Sequence, residues 1–219
     1  SAPFIANPPQ TPRDYNPTGA YRTTFTVPSD WKGEEVFLRF EKVASASFLW
    51  VNGQEVGYNE GAQETAEYNI TPYLKKGRNT LAMMVVKYSD GYYLEGQDYW
   101  RLAGIFDDVY LYATPKTRLF DWYVTTDLDK EYKDADLRIE ATVRSYDDFP
   151  VQTPLKVLAV LSDAEGKTVA ELESQEATFA PGSKSLTLTM TKHIANPLKW
   201  TAETPDLYSL KMYLIDAST

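Results

Sequence analysis

Short runs of alternating apolar and polar residues dominate the first half of the chain. They span residues 21–27, 35–40, 47–51, 54–58, 80–87 and 108–113. A period of two, interrupted by turn residues, is typical of β-strands. Asn52-Gly53 lies between two runs and predicts a type I′ hairpin, since that turn needs positive φ at both positions. Residues 69–74 predict a short helical or 3₁₀ turn in which Thr71 caps and Pro72 follows. The pattern indicates a jelly-roll sandwich.

The alternation pauses near residues 113–117 and then resumes. The second set of runs covers residues 119–127, 135–145, 155–162, 168–174 and 185–191. Strands of this length over about a hundred residues favour an immunoglobulin-like sandwich, here without a cysteine pair. We therefore expect an all-β chain of two domains, a jelly roll over residues 1–115 and an immunoglobulin-like sandwich over 116–219. The 16 tyrosines and the aromatic content of 14% agree with strands rather than helices.

The composition argues against several classes of site and partner. The chain has no cysteine, so disulfides, thiolate metal sites and thiol nucleophiles are excluded. The formal charge of −9 disfavours nucleic acid and anionic lipid as partners. No apolar run approaches the length of a membrane helix. The sequence predicts a chain with no nucleic-acid or membrane partner, and it leaves the cellular compartment open.

One loop concentrates the chemistry that a sugar site needs. Between two strand-like runs it carries Asp98, Tyr99, Trp100 and Arg101. A carboxylate accepts hydrogen bonds from hydroxyls, aromatic rings offer flat apolar faces to a pyranose, and arginine holds a carboxylate in a fork. The loop therefore predicts contact with a carbohydrate.

The order of these residues resembles a known signature. The segment 93–111 is similar to the Asp-Gln-Asp-x-Trp-Arg-x-Ser-Gly-Ile-Phe-Arg-Asp-Val motif of family 2 glycoside hydrolases, the β-galactosidase group, with Gly96, Ala103 and Asp107 as departures. Four further stretches resemble family segments in the same order, namely residues 16–28, 48–58, 77–86 and 196–210. The chain is thereby identified as a member of that family.

The resemblance implies an N-terminal, non-catalytic portion of a retaining β-galactosidase-like enzyme, inactive alone. In the family two glutamates do the chemistry on a (β/α)8 barrel that follows, and no paired carboxylate motif that would place two carboxyls about 5 Å apart is found here. The resemblance also implies that Asp98 and Asn52 contact the sugar and form one wall of its pocket. Asp98 would further be one ligand of a monovalent cation, sodium, with the other ligands outside this chain, and magnesium is a second cofactor of the full-length enzyme. The implied partners are a β-galactoside, the catalytic barrel and further copies of a homo-oligomer.

Other interpretations stay open. Asp98 suits a turn cap, and Asn52 suits a tight hairpin for backbone reasons alone. The chain is alternatively an autonomous carbohydrate-binding module, a β-glucuronidase or β-mannosidase relative, or a brace for a barrel. Its sugar, linkage and oligomeric state are not determined by the sequence.

Several other residues are assigned structural roles at this point. Trp100 and Arg101 are predicted to shape the loop, with Arg101 pairing Glu95. Tyr58, Asn59 and Glu60 are taken as an exposed turn rather than a sugar rim. His193, Trp122 and Trp200 are also predicted to be structural, the histidine because no carboxylate lies near it in sequence and the tryptophans as core or domain-interface anchors. Glu203 is not a general acid in this interpretation.

Overall fold

The computed structural model describes residues 9–12, 14–95, 100 and 102–217. The chain divides into two compact units, Ser1–Pro115 and Lys116–Thr219. Both are built from antiparallel strands, which confirms the predicted all-β sandwich class.

Within its described residues, the first unit holds nine strands, one helical turn and two 3₁₀ turns. The strands are β1 (Thr18–Thr26), β2 (Glu35–Phe40), β3 (Val43–Ala44), β4 (Ala46–Val51), β5 (Gln54–Asn59), β6 (Ala66–Asn69), β7 (Arg78–Val86), β8 (Gly104–Ile105) and β9 (Val109–Thr114). Helix α1 covers Tyr92–Glu95, and the 3₁₀ turns cover Ser29–Trp31 and Thr71–Tyr73. Four strands form one sheet in the order β1-β7-β4-β5, and three form another in the order β6-β2-β9, with β3-β8 as a small third sheet.

Alternation along the strands explains the core of this unit. Val36, Leu38 and Phe40 of β2 are buried together with Leu49 and Val51 of β4. The Asn52-Gly53 hairpin has positive φ at both residues, 53° and 82°, as predicted. The predicted turn at Thr71–Tyr73 forms, but Thr71 is not its cap. Ile70 precedes the turn without a side-chain cap, and the Thr71 hydroxyl instead accepts a hydrogen bond from the Val36 N–H.

The second unit is a sandwich of two three-stranded sheets. Its strands are β10 (Thr117–Leu128), β11 (Ala135–Ser145), β12 (Leu155–Ser162), β13 (Thr168–Glu173), β14 (Ser185–Ile194) and β15 (Ser209–Asp216). The sheets run β10-β11-β14 and β13-β12-β15. Every second residue of β11 from Ala135 to Ser145 is buried, so that one face of its sheet packs on the core.

Strand β10 is an edge strand with an irregular register. Leu119 pairs with Val143, but Asp121 pairs with Thr142, so Phe120 is the extra residue of a β-bulge. After the bulge, Trp122 pairs with Ala141 and Val124 with Ile139. Residues paired across strands share a face, so the bulge places Trp122 and Val124 on the core side of the sheet.

Candidate functional site

The four-stranded sheet of the first unit has two ends with different chemistry. Val86, at the end of β7, pairs with Thr18 and with Ala46, the first residues of β1 and β4. Ser47 pairs with Asn59, at the end of β5. The connections that meet here are residues 9–12 and 14–17, residue 45, residues 60–62 and residues 87–95. This end, called the groove end below, gathers polar and aromatic residues from four separate parts of the chain.

Two adjoining depressions lie at the groove end. Their volumes are about 380 and 280 Å³. Pro9 and Asp90 line both, and together they form an open groove in the surface. Its lining combines apolar and aromatic side chains with a few polar groups, and the first depression is lined by Pro9, Thr11, Asn16, Ala46, Phe48, Tyr58, Val86, Tyr88, Ser89 and Asp90. This combination suits a ligand with both C–H faces and hydroxyls.

Asn16 ties the N-terminal side of the groove to the end of β7. Its amide nitrogen donates to the Tyr88 carbonyl at 2.8 Å, and its amide oxygen accepts from the Tyr88 N–H at 2.9 Å. The side chain thus pairs with Tyr88 as another peptide group would. Tyr93 adds a second tie, since its hydroxyl donates to the Gln10 carbonyl at 2.7 Å.

Two carboxylates lock the connection after β5 to the segment around α1. Glu60 accepts from the Gly91 N–H at 3.1 Å and from the Tyr58 hydroxyl at 2.6 Å. In the reverse direction, Glu95 of α1 accepts from the Ala62 N–H at 2.9 Å. Each segment therefore donates a backbone N–H to a carboxylate of the other. We call this arrangement the reciprocal clamp.

Electrostatics favour the ionised form of Glu60. Partial burial acts to raise its pKa, but hydrogen bonding with Asp90, Tyr58 and the Gly91 N–H outweighs burial and lowers the pKa to about 2. The pKa of Tyr58 is raised, first by burial and then by its hydrogen bond to the Glu60 carboxylate. At neutral pH the clamp therefore consists of a carboxylate and a neutral phenol.

The clamp gives a pH-dependent prediction. Because the folded pKa of Glu60 lies below the ordinary value of 4.5, its stabilising effect is complete above that value and is lost as pH falls through about 2. We expect the Gly91 amide proton, followed by NMR, to shift upfield with a midpoint near pH 2 as its acceptor is neutralised. The Glu60→Gln substitution should remove that titration, whereas Glu64→Gln, at an exposed position of the same connection, should leave it. A Gly91 titration of unchanged amplitude in Glu60→Gln would contradict the clamp.

Asn52 lies at the other end of the sheet. Its N–H donates to the Thr80 carbonyl at 2.8 Å, where β4 and β7 separate. Since β4 is six residues long and a strand rises about 3.3 Å per residue, the hairpin lies roughly 20 Å from the groove end. The structure therefore does not bring Asn52 to the groove.

The Asn52 amide is already occupied within the protein. Its nitrogen donates to the Tyr73 carbonyl at 2.8 Å and to the Asn79 side-chain oxygen at 2.7 Å, and its oxygen accepts from the Thr80 N–H at 3.0 Å. These bonds fit the structural interpretation of the Asn-Gly hairpin. A role in sugar binding for Asn52 stays a prediction, and none of its observed contacts supports it.

Asp98 and Arg101 lie outside the described residues, and so does Tyr99. Their predicted roles stay predictions. The described residues next to them are Glu95 and Trp100. One Glu95 oxygen, Oε2, is buried without a hydrogen-bond partner among the described residues. This oxygen is therefore available as the acceptor in the predicted pairing with Arg101. Trp100 is 81% exposed, and its predicted role in shaping the loop stays a prediction.

Several structural assignments change once the strands are paired. Tyr58 and Glu60 belong to the groove end rather than to an isolated exposed turn, because Glu60 accepts from the Gly91 N–H and from the Tyr58 hydroxyl. His193 does have carboxylates nearby, because cross-strand pairing places Asp136 at 3.0 Å from Nδ1 and Asp134 at 3.6 Å from Nε2. Its pKa is raised, mainly by the hydrogen bond to Asp136.

The partners of the residues that shape the groove could not be predicted from the sequence. Asn16 was noted only as part of a resembling segment, Glu60 was assigned to an exposed turn, and Glu95 was expected to pair with Arg101. The available hint was the turn chemistry: Asn16 stands before Pro17, and Gly91 follows Asp90. Neither pattern predicts which distant segment the side chain will bind.

Two further observations bear on function. Among the described residues, no three histidine, aspartate or glutamate side chains come together in a way that suits a metal ion. In the same part of the chain, no helix is long and apolar enough to span a membrane.

Comparison with known proteins gives consistent matches over both units. The family model "Glycosyl hydrolases family 2, sugar binding domain" matches residues 2–115, and the model "Glycosyl hydrolases family 2" matches residues 117–219. A β-galactosidase of Priestia megaterium is 40% identical over 99% of this chain, and one of Vibrio cholerae is 39% identical over 98%. The chain spans about a fifth of the length of these relatives, 21% in both cases.

Solved structures agree on the fold. A Bacteroides uniformis β-glucuronidase superposes with a TM-score of 0.83 at 25% identity, over 93% of this chain and 25% of that protein. A β-glycosidase from Bacteroides vulgatus superposes with a TM-score of 0.74 at 24% identity, over 92% of this chain and 24% of that protein. The arrangement of two β-sandwich units therefore recurs in larger glycosidases.

Proposed function

Since the chain belongs to glycoside hydrolase family 2, we propose that its first unit supplies one wall of the sugar-binding pocket of a β-galactosidase-type enzyme. The observation that carries the proposal is the groove, which combines aromatic faces with carboxylates next to the segment that leads to Asp98. The curated relatives, about five times as long as this chain and called family-length below, are named β-galactosidases. The glycosidic bond would be cleaved with retention by two carboxyls on the barrel, outside these residues.

The groove offers acceptors to a neutral sugar. Its described lining includes the carboxylates of Glu60 and Asp90. Galactose hydroxyls would find hydrogen-bond acceptors there. The galactoside is proposed over the glucuronide because the curated relatives are named β-galactosidases, although the fold resembles a β-glucuronidase.

Within this proposal the chain's own residues bind and orient. Tyr58 and Phe48 lie with their ring centroids 4.8 Å apart and offer an apolar surface for the C–H face of a sugar. The reciprocal clamp fixes the start of the segment that carries Asp98, which would accept from sugar hydroxyls. Asp98 would also be one ligand of a monovalent cation, sodium, since a carboxylate is a hard oxygen donor. Its other ligands, and any magnesium site, would lie outside this chain.

An autonomous carbohydrate-binding module is less well supported. The groove is open, and its polar groups are largely engaged in bonds between protein segments. Such a surface serves as one side of a pocket that another part of the enzyme completes. A homo-oligomer remains part of the proposal for the family-length protein.

The test uses the family-length protein that contains this chain. We expect it to hydrolyse a nitrophenyl β-galactoside faster than the matching β-glucuronide. Asp98→Ala should lower kcat/KM for the galactoside at least about 100-fold, which corresponds to the loss of about 2.7 kcal/mol of transition-state binding. Glu203→Ala, at an exposed position in the second unit, is the matched control and should leave kcat/KM unchanged. Preference for the glucuronide, or an active Asp98→Ala variant, would overturn the proposal.

A further inference from the structure

His193 lies on the exposed face of the sheet β10-β11-β14, between two carboxylates. Cross-strand pairing places it opposite Asp136 of β11, which in turn pairs with Asp127 of β10. The Asp136 Oδ1 is 3.0 Å from the His193 Nδ1, and the Asp134 Oδ2 is 3.6 Å from Nε2. Both ring nitrogens therefore face a carboxylate oxygen.

This arrangement favours the charged form of the ring. A neutral imidazole carries one N–H, whereas the imidazolium carries two. With a single N–H, one ring nitrogen would present a lone pair to a carboxylate. Only the protonated ring can donate to Asp134 and Asp136 together. These contacts agree with the raised pKa of His193, whose largest cause is the hydrogen bond to Asp136.

The Asp134 carboxylate links the ring to a third segment. Its other oxygen, Oδ1, accepts from the Asn196 N–H at 2.8 Å, at the start of the connection between β14 and β15. The Lys199 ammonium, from the same connection, donates to the Lys133 carbonyl at 2.7 Å and to the Asn196 side-chain oxygen at 3.3 Å. The beginning of this connection is thus bonded to the turn between β10 and β11.

The other charged groups around the ring do not take its place. Among the described residues they are the carboxylates of Asp127 and Asp129 and the cations of Arg138, Lys192 and Lys199. The first cation donates to Glu140, the second belongs to the opposite face of β14 because it pairs with the buried Leu137, and the third donates to the oxygens named above. The positive charge between the two carboxylates therefore comes from the imidazolium.

We propose that His193 is a pH-sensitive latch that joins β14 to β11 and to the turn between β10 and β11. In the protonated ring, Nδ1 donates to Asp136 and Nε2 donates to Asp134, which holds Asn196. On deprotonation the shorter bond to Asp136 keeps the Nδ1 proton, so the Nε2 proton leaves and Asp134 faces a lone pair. The connection after β14 then loses one of its attachments.

The direction of the pH dependence follows from the shift. The folded pKa of His193 lies above the ordinary value of 6.5, so the latch is complete below pH 6.5 and opens as the pH rises through the folded value. This inference does not depend on the sugar proposal.

NMR titration of the imidazole ring in the 219-residue chain tests the first step. His193 is the only histidine of the sequence, so its ring signals need no further assignment. We expect a protonation midpoint above pH 6.5 and, at higher pH, a neutral ring whose nitrogen chemical shifts place the proton on Nδ1. A midpoint at or below 6.5, or a neutral ring protonated on Nε2, would overturn the proposal.

Three substitutions separate the two contacts from the general effect of charge. Asp134→Asn and Asp136→Asn should each lower the midpoint of the ring. Asp148→Asn removes the same charge beyond the other end of β11, where the side chain is 92% exposed, and should leave the midpoint unchanged. If Asp148→Asn lowers the midpoint as much as the other two, net charge and not the latch raises it.

Nitrogen-15 relaxation tests the second step, the hold on the connection. The backbone order parameters of Asn196 and Lys199 should fall as the pH rises through the midpoint of the ring. In His193→Gln, whose side chain does not titrate, they should not change over the same range. Order parameters that stay constant in the unsubstituted chain, or that fall equally in His193→Gln, would show that the ring titrates without holding the connection, and the proposal would be wrong.

Discussion

Replacing Asn79 with alanine is expected to lower the free energy of unfolding of the first unit by about 3 kcal/mol. Asn79 is fully buried, and its side chain makes four hydrogen bonds. It accepts from the Asn52 amide and the Lys75 N–H, and it donates to the carbonyls of Lys75 and Gly77. Each buried partner left unsatisfied costs about 1–3 kcal/mol. Lys75 and Gly77 are exposed, so water can reach some of these groups and the total stays at the lower end.

The measurement must follow the first unit by itself, because a chain of two units need not unfold in one step. Amide exchange of β4 at increasing urea concentration reports that unit. Asn59→Ala is the matched control, since the Asn59 side chain makes one long bond of 3.5 Å, and it should change stability by less than about 0.5 kcal/mol. A loss below about 1 kcal/mol for Asn79→Ala would show that the network does not hold the hairpin in place.

Replacing Phe179 with alanine should destabilise the second unit by about 4 kcal/mol. The ring is 2% exposed and belongs to the core cluster of this unit with Ile139 and Val157. Removing a buried phenylalanine loses its transfer free energy and leaves a cavity, which together cost about 3–5 kcal/mol. Exchange of the β12 amides in urea measures the effect.

Phe149 provides the control for that substitution. It is 92% exposed, so Phe149→Ala should change stability by no more than about 0.5 kcal/mol. If both phenylalanine substitutions cost the same, Phe179 does not pack in the core as described.

Phe179 also shows where sequence-based reasoning stops. Strands β4, β11 and β12 follow from alternation, because buried positions alternate with less buried ones along each of them. Phe179 lies between β13 and β14 in a stretch without periodicity, held by the isolated pairing of Leu155 with Ala177. A single aromatic residue in such a segment gives no sign that it is buried. Strand β6 was missed for a related reason, since four residues are too few to show a period.

The sequence predicts a sugar-contacting loop, but it does not predict which residues line the groove. The aromatic and acidic composition of the loop at 93–101 pointed to a sugar, and the resemblance pointed to the family that the comparisons confirm. The resemblance assigns Asn52 to the same sugar as Asp98, and that assignment stays a prediction, while strand pairing places the hairpin at the end of β4 away from the groove. The tie of Asn16 to Tyr88 spans 72 positions in sequence, and no local pattern can encode such a partner.

The bulge at Phe120 means that β10 carries one residue more than its partner strand at this point. Leu119 pairs with Val143 and Asp121 with Thr142, so loss of the codon for Phe120 would leave Trp122 opposite Ala141 and Val124 opposite Ile139. Loss of a residue after the bulge, with the pairing before it unchanged, would instead move every following side chain to the other face of the sheet. In a comparison of relatives, a one-residue gap at Phe120 and a one-residue gap a few positions later would therefore have opposite consequences for the core.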